Sequence, residues 1–354
     1  MKLQKLFAAF RKINEIAETN DYPKIASYLR FFQLATSEQY SPVEIFMEDL
    51  LNPSWSDKER NGMISKECFL RLQEKVNPVA YRYLTEDKIA FHHHCTKNNL
   101  SIPELVAVFE PNGQSYWGNG QKIETESDLL NGLSHYPFDI IMKPVHGYHG
   151  KGVLALNFID GVHRLISDLN LPLRNVFKQA LIENPDQYIL QKRLYSHRAI
   201  AEFTGNTVLQ SLRLITCLDE NGQPKLIIRK IKFPKQGNLI DNFSWGINNG
   251  RLCLIDEYGK IESFIKYDHI KKHLVRYDYI EDISGEKAEF TIPCWEQCVT
   301  LVLNAQRAFS PLRTVGWDVA VTDDGPFLIE GNVFWDPLMP QEGSMQPIRQ
   351  LFVG

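Results

Sequence analysis

The chain has 354 residues, 44% hydrophobic and 23% charged, a mix that supports two or three globular domains with buried cores. Its 39 basic and 43 acidic residues leave a net charge of −4, which argues against nucleic acid as the main partner. Six cysteines with no Cys-x-x-Cys pair argue against a disulfide framework, the opening MKLQKLFAAFRKI lacks a signal core, and no apolar run of ~18 residues offers a membrane span, so a cytoplasmic protein is expected.

Residues 1–85 read as helices. Leu3, Leu6, Phe7, Phe10, Ile13 and Ile16 recur at spacings of three and four and form one apolar stripe. Asp21-Tyr22-Pro23 restarts a helix, with the proline where a missing N–H costs nothing. Ser41-Pro42-Val43-Glu44 is a capping-box pattern ahead of Ile45, Phe46 and Leu50, while Asn52-Pro53 and Asn61-Gly62 are breaks. This segment reads as a helical cap or a wall on the substrate side. Asp87 caps a helix to about 97, on which His92, His93 and His94 splay around the axis and do not converge on one ion.

Strands are expected at 105–110, 138–143, 152–158, 188–191, 207–217 and 225–232. A hairpin is expected over 246–255, turning at Asn248-Asn249-Gly250. The segment 293–309 reads as a helix carrying Cys294 and Cys298 as core thiols. Strands at 314–322 and 326–330, joined by Asp323-Asp324-Gly325, close the chain. Strands outnumber helices after residue 100 and hairpin signals recur. The fold class is therefore α+β with mostly antiparallel sheets.

Chemistry concentrates in two places. Lys143-Pro144-Val145-His146-Gly147-Tyr148-His149-Gly150-Lys151-Gly152 follows one strand and precedes another. Its glycines let backbone N–H groups turn toward a ligand, its lysines add charge, and no acid lies between Asp139 and Asp160. That is a polyphosphate-binding composition, although a surface hairpin with solvated lysines has the same letters. It is neither a Walker A loop nor a dinucleotide fingerprint. His146 and His149 bracket the glycines, where phosphate or a zinc ion are the candidate ligands, although a His-x-x-His loop with no further ligand is a weak zinc pattern.

The second place is Asp318, mid-strand, with Glu330 and Asn332 two apart on the next strand and so on one face. Two acids and an amide suit octahedral Mg²⁺, and the alternative is strand-end carboxylates facing solvent. Between the two places, Arg213 lies inside an apolar strand and needs an anionic partner, with Arg229-Lys230 in the next strand. Ordinary salt bridges would account for these too.

Taken in order, Asp87-Lys88, Lys143 with the glycines of 147–152, the stretch 189–194, Asp318 and Glu330-x-Asn332 resemble the ATP-grasp superfamily over about 87–345. Asp241-Asn242-Phe243, Ile292-Pro293-x-Trp295 and Gly316-Trp317-Asp318 look most like its sugar-transfer-associated group, which resembles the α-L-glutamate ligase branch. The resemblance implies an ATP-grasp fold, two α+β subdomains clamping ATP. The expected division is a helical region at 1–85, a small subdomain at 86–187 and a large one at 188–354.

The resemblance also implies roles. Lys143 would contact the α- and β-phosphates of ATP. Gly147, Tyr148, His149, Gly150, Lys151 and Gly152 would close over the triphosphate. Gln191, Lys192 and Arg193 would lie along the adenine. Arg213 would face the γ-phosphate or the acyl-phosphate, Asn242 the phosphate or metal side, and Asp318, Glu330 and Asn332 would hold one or two Mg²⁺ ions. Lys192 stands where the family often carries an acid, and the helices of 1–85 replace the usual leading α/β domain. The implied activity is an ATP-dependent carboxylate–amine ligase acting on small molecules through an acyl-phosphate. A small-molecule kinase and a nucleotide-binding module without turnover are the alternatives.

Overall fold

The computed structural model describes residues 2–56, 64–110, 113–147, 150–234, 243–247, 250–281 and 284–336. Tyr148, His149, Asn242, the Asn248-Asn249 turn and the Asn61-Gly62 break lie outside these residues. The helical start is α1 (Lys2–Thr19), α2 (Lys24–Thr36), α3 (Pro42–Met47), α4 (Lys66–Val76), α5 (Val79–Glu86) and α6 (Lys88–Lys97). Ile13, Ile16, Phe31, Leu34 and Ile45 give the first three helices their own small core. The capping box forms as expected: Ser41 Oγ accepts from the Glu44 N–H, and Glu44 Oε2 accepts from the Ser41 N–H at 2.8 Å. Glu44 Oε1 also accepts from the Lys66 N–H, tying α3 to the start of α4.

Two antiparallel sheets follow. The first holds β1 (Leu105–Phe109), β2 (Tyr116–Trp117), β3 (Ile140–Pro144), β4 (Leu154–Ile159), β5 (Val162–Leu165) and β6 (Tyr188–Lys192), in the spatial order β2-β1-β6-β3-β4-β5. The sequence reading assigned 188–191 to the later unit. In the structure β6 pairs with both β1 and β3 and so belongs to the first sheet. On the outer face, α7 (Glu126–Gly132) and α8 (Leu173–Glu183) bury Leu129, Val176 and Phe177 against Ile140, Met142 and Leu190. The inner face carries Leu105, Val108 and Ile189, with Ile89 of α6 packed on them.

After α9 (Arg198–Thr204) comes the second sheet: β7 (Ser211–Leu218), β8 (Pro224–Phe233), β9 (Arg251–Ile255), β10 (Ile261–Asp268), β11 (His273–Tyr277), β14 (Thr314–Thr322) and β15 (Gly325–Asn332). They run in the order β11-β10-β9-β8-β7-β14-β15, and the small pair β12 (Ile280–Glu281) and β13 (Lys287–Ala288) stands apart. One face packs on α10 (Trp295–Ala308), whose Trp295, Cys298, Leu301, Val302 and Ala305 make one buried stripe. Leu301 and Val302 of this stripe are worth ~1.5–3 kcal/mol each when fully buried.

Cys294 lies outside that helix, contrary to the sequence expectation. It sits before α10 in a left-handed conformation, φ 53°. Trp295 explains the reversal. Its indole N–H donates to the Glu257 carbonyl, and its ring covers Gly259, where a Cβ would come within 2.5 Å.

The other face of the second sheet receives the helical start. Met47 of α3 packs with Leu252, Leu254 and Ile265, and Phe69 of α4 packs with Ile215 and Trp335. Buried Asn77, just after α4, donates to the Thr314 and Val333 carbonyls and accepts from the Arg313 and Thr314 N–H groups. Helix α6 lies between the sheets: Ile89 faces the first, while Phe91 and Cys95 enter the core of the second. Among the described residues no helix is long and apolar enough to cross a membrane.

Candidate active site

Three adjacent strands set the acidic side of the site. Asp318 on β14 is in register with Arg213 on β7 and with Glu330 on β15, so the three side chains stand in a row on one face. That row depends on a bulge. Asp318 pairs with Glu330 but Val319 pairs with Leu328, leaving Ile329 as an extra residue. In a regular strand Leu328 and Glu330 would share a face. The bulge sends Leu328 into the core and Glu330 to the face of Asp318.

Arg213 grips Asp318 with two contacts, Nε to Oδ1 at 2.7 Å and Nη2 to Oδ2 at 3.0 Å. Lys232 Nζ lies 3.3 Å from the same Oδ1. Burial would raise the Asp318 pKa, but Arg213 and Lys232 outweigh it and hold the carboxyl below its ordinary range. Glu330 goes the other way. Burial and the charge of Asp318 raise its pKa, and the two carboxyl groups share a hydrogen bond. Asn332 Nδ2 is 3.4 Å from Glu330 Oε1. Two buried carboxyl groups side by side repel when both are charged, and a divalent cation would relieve that repulsion.

The basic side comes from the first sheet. Lys143 on β3 is 8% exposed and has no ion-pair partner among the described residues. Burial lowers its pKa to about 8, with Glu330 close enough to oppose the shift. A buried ammonium without a counter-ion is costly, and an anionic ligand would supply one. Lys88, the first residue of α6, also feels Glu330 across the cleft. Its Nζ donates to the Val145 and Gly147 carbonyls, both at 3.2 Å.

The glycine segment leaves β3 from a fixed base. The His146 N–H donates to Asp186 Oδ2 at 2.7 Å, and its ring lies between Asp186 and Asp87. Gly150 and Gly152 adopt φ of 70° and 74°, a region open to glycine, and a Cβ on Gly152 would meet Pro144 at 2.9 Å. Gly147 and Lys151 are exposed.

Not every expected residue converges. Gln191 is buried and in register with Ile141 of β3, two residues from Lys143, so it shares the inner face. Lys192 is in register with Ile140 and faces outward, its Nζ 5.3 Å from the Phe138 ring centre. Arg193 donates to Asn157 Oδ1 and stacks on Tyr195. The side chains of Lys192 and Arg193 are thus engaged away from Lys143. The three histidines diverge: His92 is buried, with its pKa lowered to about 4 by burial, His93 meets the Tyr116 hydroxyl, and His94 meets the Ala308 carbonyl.

The sequence names Lys88 only within the Asp87-Lys88 pattern, without a role, and does not single out Lys232. Lys88 had a detectable signal, because a cation at the first position of a helix opposes the macrodipole and needs another reason to be there. Lys232 had none, since only the β7–β8 register decides that it, rather than Arg229, reaches Asp318.

The residues present fit Mg²⁺. Among the described residues no trio of His, Cys, Asp or Glu gathers, but two carboxylates and an amide do, and Mg²⁺ favours few protein carboxylates plus phosphate oxygens.

No curated protein is similar enough to count as a relative. Among solved structures, an ADP complex of purK, N5-carboxyaminoimidazole ribonucleotide synthetase, is 11% identical, with TM-score 0.43 over 78% of this chain and 52% of that one. VanG D-Ala:D-Ser ligase from Enterococcus faecalis is 12% identical, with TM-score 0.42 over 76% and 61%. D-alanine–D-alanine ligase from Bacillus anthracis is 12% identical, with TM-score 0.35 over 71% and 57%. The chain thus spans about half the length of the first of these. The model of the sugar-transfer-associated ATP-grasp family matches residues 69–345, starting within α4 and so before the Asp87 at which the sequence reading began. The chain belongs to the sugar-transfer-associated ATP-grasp family.

Proposed function

We propose that the chain is an ATP-dependent carboxylate–amine ligase acting on small molecules. One observation carries the reading: the buried, unpaired Lys143 faces Glu330, and Glu330 stands beside Asp318 with Asn332 on the same strand. A cation on one wall and clustered oxygen donors on the other suit a metal-chelated polyphosphate.

Lys143 and Lys88 would hold phosphate oxygens of ATP, with backbone N–H groups near Gly147, Gly150 and Gly152 as further donors. Asp318, Glu330 and Asn332 would hold Mg²⁺, which when bound offsets negative charge on the phosphate oxygens. Arg213 and Lys232 fix Asp318 in place, and the Arg213 guanidinium would bring positive charge to the transferring group. Gln191 and the backbone at Lys192 and Arg193 would border the adenine.

The acid substrate's oxygen attacks the γ-phosphorus and ADP leaves. The amine then attacks the acyl carbon, phosphate leaves, and the amide remains. No protein nucleophile is needed, and this row of side chains contains none. Helix α4 packs through Phe69 on Ile215 of β7 and on Trp335, which supports reading the helical start as a wall on the acceptor side.

Incubation with ATP, Mg²⁺ and hydroxylamine over a panel of carboxylic acids tests the reading. Acid-dependent hydroxamate with ADP supports a ligase. A phosphorylated product stable to hydroxylamine identifies a kinase, and nucleotide binding with no turnover across the panel identifies a binding module.

A further inference from the structure

Where the helical start meets the edge strand of the second sheet, it brings a buried acid against a buried histidine, and the nucleotide site uses neither. Asp49, just after α3, is 5% exposed. The Tyr22 hydroxyl, from between α1 and α2, donates to its Oδ1 and Oδ2 at 2.9 and 2.8 Å, and Asn52 Nδ2 donates to Oδ2 at 2.8 Å. Trp55 Nε1 donates to the Asp49 carbonyl, also at 2.8 Å. From the sheet comes His273, the first residue of β11 and 7% exposed, whose Nε2 lies 3.8 Å from Asp49 Oδ2.

The other ring nitrogen fixes the tautomer. His273 Nδ1 is 2.9 Å from the Leu274 carbonyl oxygen, which can only accept, so Nδ1 carries the hydrogen. A second proton therefore goes to Nε2, facing Asp49. With it the contact is an ion pair between two buried groups. Without it a nitrogen lone pair faces a carboxylate oxygen, and the buried charge loses its cation.

The surrounding charges are few. In the β10–β11 turn, Lys271 acts on Asp49 and Asp268 acts on His273, while Lys272 is paired with Glu15 of α1. His269 of the same turn is exposed and meets the Tyr267 ring edge-on. Asp21 beside Tyr22 is exposed, and Glu48 beside Asp49 is buried. Burial raises the Asp49 pKa, and His273, Asn52, Tyr22 and Lys271 oppose that rise. Burial and the charge of Asp49 raise the Tyr22 pKa, so its hydroxyl remains a donor.

We propose that a proton held between Asp49 and His273 clamps the helical start onto the second sheet in mildly acid solution, and that the clamp loosens as pH rises through the imidazole range. The buried pair binds this proton better than the two separated groups of an undocked chain. Its stabilisation is therefore present at low pH and lost as pH rises. The clamped contact includes Met47, two residues before Asp49, on Leu252, Leu254, Ile265 and Leu274. Leu254 is in register with Lys230, and Lys230 with Arg213, so the clamp bears on strands that lead to the acidic row. It stands apart from the ligase reading.

Hydrogen exchange of the full chain between pH ~5.5 and ~8, divided by the intrinsic exchange rate at each pH, tests this. In wild type the protection of residues 42–52 and 273–277 is expected to fall at least about threefold across that range, while residues 140–144 of β3 keep theirs. His273→Gln and Asp49→Asn should each abolish the change, and the asparagine suits the left-handed backbone at this position, φ 54°. Tyr22→Phe retains both titrating groups and should retain the change. His92 and His163, whose pKa values burial lowers, push stability the other way in every variant alike, so the comparison cancels them. Protection that does not vary with pH in wild type, an equal fall in β3, or an equal fall in whichever of His273→Gln and Asp49→Asn folds would overturn the proposal.

Discussion

Asp318 and Arg213 face each other across β14 and β7 in a two-contact ion pair at 2.7 and 3.0 Å, and Glu330 continues the same row on β15. The pair lowers the Asp318 pKa despite burial, while burial and the charge of Asp318 raise that of Glu330.

Removing one partner of that pair should be costly. Arg213→Met leaves a buried carboxylate with only Lys232 against it, and the expected loss is about 3 kcal/mol in urea unfolding. Arg213→Met with Asp318→Asn should recover most of that loss, because no charge is then stranded. Equal losses for the single and double variants would mean that the ion pair does not set the stability of this row.

Glu330→Gln separates function from fold. The amide relieves the repulsion from Asp318, so the thermal midpoint should stay or rise. Mg²⁺-dependent turnover should fall at least ~100-fold, since partners one shell further from a metal already cost up to that much. Near-normal turnover would remove Glu330 from the site.

The lowered pKa of Lys143 predicts opposite trends for stability and affinity. The unfolded chain binds this proton up to pH 10.5 and the folded one only to about 8. Between those values the unfolded state holds more protons, so the contribution of Lys143 to the stability of the free protein rises with pH. Nucleotide affinity should fall over the same interval as the cation is lost. Calorimetry at pH ~8.5 in buffers of differing ionisation enthalpy should register uptake of about one proton on nucleotide binding. Lys143→Met should abolish that uptake.

The strand carrying Asp318 is held by a buried polar network. Trp317 Nε1 donates to Thr216 Oγ1 at 2.8 Å, and Thr216 Oγ1 donates to Gln306 Oε1 at 2.6 Å. Thr216→Val leaves both partners unsatisfied and should cost about 3 kcal/mol by denaturant unfolding. Thr216→Ser keeps the hydroxyl and should cost ~1 kcal/mol, close to the burial of one methyl group.

Local signals carried well from sequence to structure. Ser41 and Asp87 cap helices because their side chains accept nearby N–H groups, and the strand expected at 314–322 is Thr314–Thr322. That Glu330 and Asn332 share a face was legible because alternation along a strand is local. What depended on pairing was hidden. The bulge at Ile329 exists only in the β14–β15 register, β6 joins the first sheet only through β1 and β3, and Lys232 reaches Asp318 only through β7. The use of the early helices as a wall for the second sheet was legible only as a general reading, since nothing in α3 or α4 names Trp335 or Leu252 as partners.

The central claim is that Lys143 and the Asp318, Glu330 and Asn332 set hold one Mg²⁺-bound nucleotide between two sheets. Titration calorimetry with a non-hydrolysable ATP analogue measures this most directly, using wild type, Lys143→Met and Glu330→Gln with and without Mg²⁺. The account predicts saturable binding that requires Mg²⁺ in wild type, weakens at least tenfold in Lys143→Met, and loses its Mg²⁺ dependence in Glu330→Gln. Binding unaffected by both substitutions, or no binding by the folded wild-type chain, would contradict it.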